Sequence, residues 1–194
     1  MPERTPSQTV GPYLHLGLAP AAYNVRPLFG PDLSAPGVTG TPIRIEGRLI
    51  DGEGNGLPDA LLEIWQADAQ GHYAHPADGR PLRSNSFRGF ARAPTDAGGG
   101  FAFSTIKPGA VPGPSESLQA PHINVGIFAR GLLKRLFTRI YFKDEGMNGS
   151  DPILALVPAP RRHTLMAVPD GGRAGVFRFD IRLQGQDETV FFDA

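Results

Sequence analysis

The chain has no cysteine among its 194 residues. Disulfides, thiolate metal centres and cysteine nucleophiles are therefore excluded. It has no charge excess either: 19 basic residues balance 19 acidic ones. A nucleic-acid binder or a membrane-surface binder normally carries a basic surplus, so neither is indicated. No apolar run is long enough to span a bilayer. The opening "MPERTPSQTVGPY" is polar and lacks the apolar stretch of a signal peptide. The expected setting is cytoplasmic. GxGxxG, P-loop, HExxH and GxSxG motifs are all missing, and no internal repeat is visible.

Glycine (25) and proline (20) are abundant, scattered between short apolar runs. That distribution is the signature of many turns between short strands. Residues 1–42 are proline-rich with little periodicity and read as an extended arm that docks on a surface, either its own core or a partner chain. From residue 43 the pattern alternates. In "IRIEGRLI" Ile43, Ile45 and Leu49 share one face, and Arg44, Glu46 and Arg48 the other. Further strands are predicted at 61–67, in "FAFSTI", at 122–129, at 136–142, at 176–183 and in the terminal "ETVFF". A short helix fits 151–157, with Asp151 as cap, Pro152 at the first position and Pro158 as stop. The expected fold is all-β: an antiparallel β-sandwich over 43–194 with an extended N-terminal arm and one short helix.

Histidine is scarce: His15, His72, His75, His122 and His163. In "APHINVGIFARG" the period-two geometry of a strand sends His122 and Asn124 to one face. A His-x-His pair there would read as a metal site, but the second histidine is missing. On its own, His122 is better explained as a hydrogen-bonded, half-buried histidine than as a ligand. "GHYAHP" (71–76) is the densest polar–aromatic cluster and reads as a loop after a strand, with Trp65, the single tryptophan, packed in a core.

"PSQTVGPY", "GLPDALLEIWQADAQGHY", "TDAGGGFAFSTIKPG", "APHIN", "TRIYF" and "RFDIRLQGQDETVFFD", in that order, resemble the intradiol ring-cleaving dioxygenases across nearly the whole chain. The resemblance implies a β-sandwich and a ferric non-haem iron held by two tyrosinates and two histidines. Carried over position by position, Tyr73 matches one tyrosine and His122 the first histidine. The second tyrosine falls at Val111 and the second histidine at Asn124. Valine has no donor atom, and asparagine is a poor neutral ligand for a ferric ion. Tyr73, Val111, His122 and Asn124 thus form a vestigial metal site, and no catalytic residue is expected in this chain. The resemblance further implies a homologous beta chain that carries the Fe(3+), in a higher-order alpha–beta oligomer. The implied substrates are protocatechuate and O2, in the beta-ketoadipate route of aromatic catabolism.

Two features are expected to serve that partner's pocket. Arg130 shares strand parity with His122 but lies eight residues on, about 26 Å away if the strand stays extended. The resemblance implies that it reaches into the partner's active site, where a guanidinium fork suits an aromatic carboxylate. The arm motif "TPSQTVGPY" is implied to lie against the partner's iron site, with Thr9, Gly11, Pro12 and Tyr13 lining the pocket. The rival readings are a non-catalytic β-sandwich binding module and a self-sufficient homomeric iron dioxygenase. Val111 and Asn124 argue against the second.

Overall fold

The computed structural model describes residues 20, 24–80 and 87–193. Eleven strands occur among them: β1 (Pro42–Ile50), β2 (Leu61–Gln66), β3 (Phe90–Pro94), β4 (Gly100–Ile106), β5 (Val111–Pro112), β6 (Leu118–Gln119), β7 (His122–Phe128), β8 (Leu136–Phe142), β9 (Met166–Pro169), β10 (Val176–Arg178) and β11 (Ile181–Arg182). One nine-stranded sheet runs β11-β1-β10-β9-β8-β7-β2-β3, with β4 pairing β1, and curls into a near-barrel sandwich. The hairpin β5–β6 stands apart as a second, two-stranded sheet.

Alternation places the core. Ile43, Ile45 and Leu49 of β1 meet Leu62 and Ile64 of β2, Phe103 of β4, and Ile123, Val125 and Ile127 of β7 in one buried cluster. Burial of a large aliphatic or aromatic side chain is worth about 1.5–3 kcal/mol, so this cluster sets which face of each strand points outward. The opposite face of β7 carries His122, Asn124, Gly126 and Phe128. Trp65 falls on that outer face too, one residue out of phase with Leu62 and Ile64, and is not a core residue.

The expectation of an antiparallel sandwich is corrected to a mixed one. β1 pairs β4 antiparallel but pairs β10 and β11 parallel, and β8 pairs β9 parallel. The predicted single strand at 176–183 is split at Phe179–Asp180. There the Phe179 amide still donates to the Glu46 carbonyl, and the Asp180 carboxylate takes the Arg48 amide in place of a ladder bond. Gly47 makes this possible: a Cβ on it would stand 1.8 Å from the Phe179 carbonyl oxygen. Phe177, Phe179 and Ile181 nonetheless point inward, as their alternation predicts. "ETVFF" forms no strand; Thr189 and Phe192 make isolated backbone bonds to Arg182 and Phe137.

The helix expected at 151–157 is a 3-10 turn over Leu154–Leu156, between two more 3-10 segments, Gly146–Ser150 and Ala159–Leu165. Asp151 caps as expected, its Oδ1 accepting from the Ile153 and Leu154 amides. Pro158 opens the following segment rather than ending the helical region. Leu154, Val157 and Leu165 bury Ala120 and Tyr141 in a second, smaller cluster on the outer face of β7 and β8. Of residues 1–42, the stretch 30–33 runs beside this chain's own strands: Ser104 of β4 donates to the Pro31 carbonyl, and Leu33 donates back to Ser104.

Candidate functional site

The outer face of β7 is the natural place to look, because it carries His122 and Asn124. Strand register sets their neighbours: Tyr141 stands opposite His122 and Arg139 opposite Asn124 on β8, while Trp65 of β2 flanks Asn124 on the other side. Residues directly opposite in a ladder share a face. His122, Asn124, Tyr141, Arg139 and Trp65 therefore form one contiguous patch.

Two loops close over it. Gln66, fully buried at the end of β2, donates from Nε2 to the Ala67 and Ile106 carbonyls and accepts from Thr105 through Oε1. This pins the start of the 67–73 loop to the end of β4. Gly109 donates to the Asp68 carbonyl, and Gly71, at φ +80°, lets the Ala110 carbonyl approach so closely that a Cβ would sit 1.8 Å from it. Tyr73 and the start of β5, Val111, are thus brought to the same end of the sheet. Asp78 accepts from the Tyr73 amide and is clamped by Arg80, which holds its carboxyl well below the usual carboxylate range. Asp68 Oδ2 and His72 Nδ1 face each other at 4.0 Å, both buried and without a hydrogen-bond partner among the described residues. His75 caps the Pro76–Asp78 turn and meets Trp65 edge-on.

Tyr73 stacks on Trp65, ring centroids 5.7 Å apart, and burial raises its phenol above its ordinary value while a hydrogen bond with Asn124 opposes the rise. His122 is 3% exposed; its Nδ1 lies 2.8 Å from the Ala120 carbonyl. Burial, helped by the charge of Arg139, pushes its imidazole down to about 4. Asn124 donates to the Trp65 carbonyl at 3.3 Å. Val111 is buried in β5, paired with Gln119. Arg130 lies in the turn after β7, beyond Phe128, ion-paired with Asp59. Thr9, Gly11, Pro12 and Tyr13 lie outside the described residues.

Sequence reasoning missed four members. Arg139 donates through Nη1 to Gln119 Oε1 at 2.7 Å and to the Tyr141 hydroxyl at 3.3 Å. Tyr141, its phenol pushed up to about 12 chiefly by burial, donates to Asp151, which also accepts from the Ala120 amide at 2.7 Å. Alternation within "LFTRIYF" could have put Arg139 and Tyr141 on one face, but not opposite His122 and Asn124, which needs the register.

The site does not fit a ferric ion. His122 offers only Nε2, and Asn124 and Val111 supply no anionic donor, which leaves Tyr73 as the single phenolate source at the four positions. Among the described residues no group of three or more His, Asp or Glu side chains is arranged to hold a metal.

A family model described as "Dioxygenase" matches residues 30–185. The protocatechuate 3,4-dioxygenase alpha chain of Burkholderia cepacia is 46% identical over 198 residues, covering 98% of each chain. The beta chain of the Burkholderia cepacia enzyme is 37% identical over 159 residues, covering 77% of this chain and 67% of that one. Among solved structures, the dioxygenase domain of a dioxygenase–carbohydrate-binding protein fusion from Streptomyces sp. SirexAA-E superposes with a TM-score of 0.61 at 26% identity, over 94% of this chain and 99% of that one. Family model, full-length relatives and β-sandwich agree: the chain belongs to the intradiol ring-cleaving dioxygenases, a family of oxidoreductases.

Proposed function

We propose that this chain is the non-iron half of a heteromeric protocatechuate 3,4-dioxygenase, completing the substrate pocket of a homologous beta chain that holds the Fe(3+). One observation carries the reading: Val111 and Asn124 stand where the family resemblance puts two of the four iron ligands, in a chain that matches the family over residues 30–185. The near-complete similarity to an alpha chain, with a weaker one to a beta chain, supports it. The reaction opens the ring of 3,4-dihydroxybenzoate between its two hydroxylated carbons, takes up both atoms of O2 and gives 3-carboxy-cis,cis-muconate. The partner's iron supplies the activation of the catechol toward dioxygen.

This chain's contribution is to bind and orient. The Arg130 fork is exposed at a sheet end, where it can exchange its surface pair with Asp59 for a carboxylate presented by another chain. Of the arm, residues 1–42, the stretch 30–33 keeps to this chain's own β4; the segment before it docks on the partner, with Thr9, Gly11, Pro12 and Tyr13 lining the partner's pocket, while 43–194 forms the family domain. The test is co-expression with a homologous chain that has both tyrosines and a His-x-His pair. The two should co-purify, and only the pair should cleave protocatechuate. A chain that binds iron stoichiometrically and cleaves catechols alone would overturn the reading, and a stable monomer indifferent to the partner would favour a stand-alone binding module.

A further inference from the structure

The vestigial site carries a positive charge as well as lacking two donors. Arg139 stands directly across the ladder from Asn124 and diagonally from His122, on the face that Tyr73 also borders through Trp65. Its head does not reach away into solvent. Nη1 is held by Gln119 and by the Tyr141 hydroxyl, and the guanidinium lies 5.9 Å from the Phe192 ring. Among the described residues no carboxylate pairs with it. Asp151 is one step further off, on the far side of the Tyr141 hydroxyl. The positive charge is therefore held in place by neutral groups and is not cancelled beside the vestigial ligands.

We propose that the Arg139 guanidinium is a built-in cation that takes the electrostatic place of the metal at this site and excludes metal ions even when the missing donors are restored. A second cation entering the same cluster meets a like charge within a partly dry site, where such repulsion is far stronger than in water. The inference takes from the proposed function only that positions 73, 111, 122 and 124 are the family's ligand positions.

The test uses the full-length chain, with circular dichroism and a thermal melt to establish that each variant is folded. Val111→Tyr/Asn124→His restores two tyrosines and a His-x-His pair. Loaded with ferric nitrilotriacetate and desalted, it should retain little iron and no visible tyrosinate-to-ferric band. Adding Arg139→Gln should tighten iron binding at least 100-fold and bring up the band. Adding Arg139→Lys instead, which keeps the charge, should not. Should the triple variant fail to fold, Asn124→His with and without Arg139→Gln carries the same comparison, titrated with Co2+ and followed by visible absorption. Equal metal affinity with and without Arg139, an equal gain from lysine and glutamine, or no metal in any variant would overturn the inference. Stoichiometric coloured iron in the unaltered chain would overturn both the inference and the proposed function, whereas an Arg139 comparison that fails while the unaltered chain stays free of iron overturns the inference alone, which separates the two failures.

Discussion

Replacing Arg130 by alanine separates substrate binding from folding, because the structure makes its structural role small. Among the described residues its one ion pair is to Asp59, and the two side chains are 70% and 36% exposed. A surface pair of that kind is worth about 0–1 kcal/mol. Arg130→Ala should therefore shift the stability of the free chain by less than about 1 kcal/mol. Its proposed contact with the ring carboxylate is charge-assisted and shielded by the partner, worth about 1.5–3 kcal/mol. That corresponds to roughly 10- to 150-fold in binding. The carboxylate's charge changes little as the ring opens, so ground state and transition state lose the contact about equally. The loss should appear mainly in KM for protocatechuate, with a smaller fall in kcat. Catechol, which lacks the carboxylate, should be nearly indifferent. The assay is steady-state kinetics of the reconstituted heteromer on both substrates, beside a melt of the isolated variant. Equal losses on the two substrates, or a melt lowered as much as by a core truncation, would refute the reasoning and make Arg130 a structural residue.

Two further outcomes concern the stability of the fold. Asp151 is buried and accepts from the Ala120, Ile153 and Leu154 amides and the Tyr141 hydroxyl, so Asp151→Ala strands several buried donors; it should cost about 3–5 kcal/mol and lower Tm by roughly 6–20 °C, read by calorimetry. Glu46 is held down from 4.5 to about 2 by its hydrogen bonds with Arg173 and then Arg44. Because the folded-state value is depressed, its stabilisation is fully present above about pH 4.5 and is lost as pH falls through about 2; Glu46→Gln should flatten the acid limb of Tm against pH across that window.

The strands were legible wherever one face meets the core and the other meets solvent. "IRIEGRLI" and "LFTRIYF" alternate and fold as read, and the latter's bounds, Leu136–Phe142, match. β3 was missed because "FARAP" has two alanines at its inward positions, too small to mark a core face, although Ala91 and Ala93 are fully packed. The parallel pairings of β10 and β11 with β1 were not legible. Alternation tells which side is buried but not which strand lies alongside. At the site, the sequence pointed to Tyr73 and His122 through the motifs around them. It gave no sign of Arg139, whose part depends on a cross-strand register, and it marked Asp151 only as a cap, not as the acceptor for Ala120 and Tyr141. Trp65 was read as core because a lone tryptophan in a strand usually is; its parity with Glu63 rather than Ile64 puts it outside, under Tyr73.

Counting iron in the reconstituted heteromer tests the central claim most directly. Metal analysis of the purified alpha–beta assembly, with the two chains quantified separately, should give one iron for each beta chain and none for this chain. The isolated chain should stay colourless after loading. Two irons for each alpha–beta pair, or a red isolated chain with a tyrosinate-to-ferric band, would contradict the account.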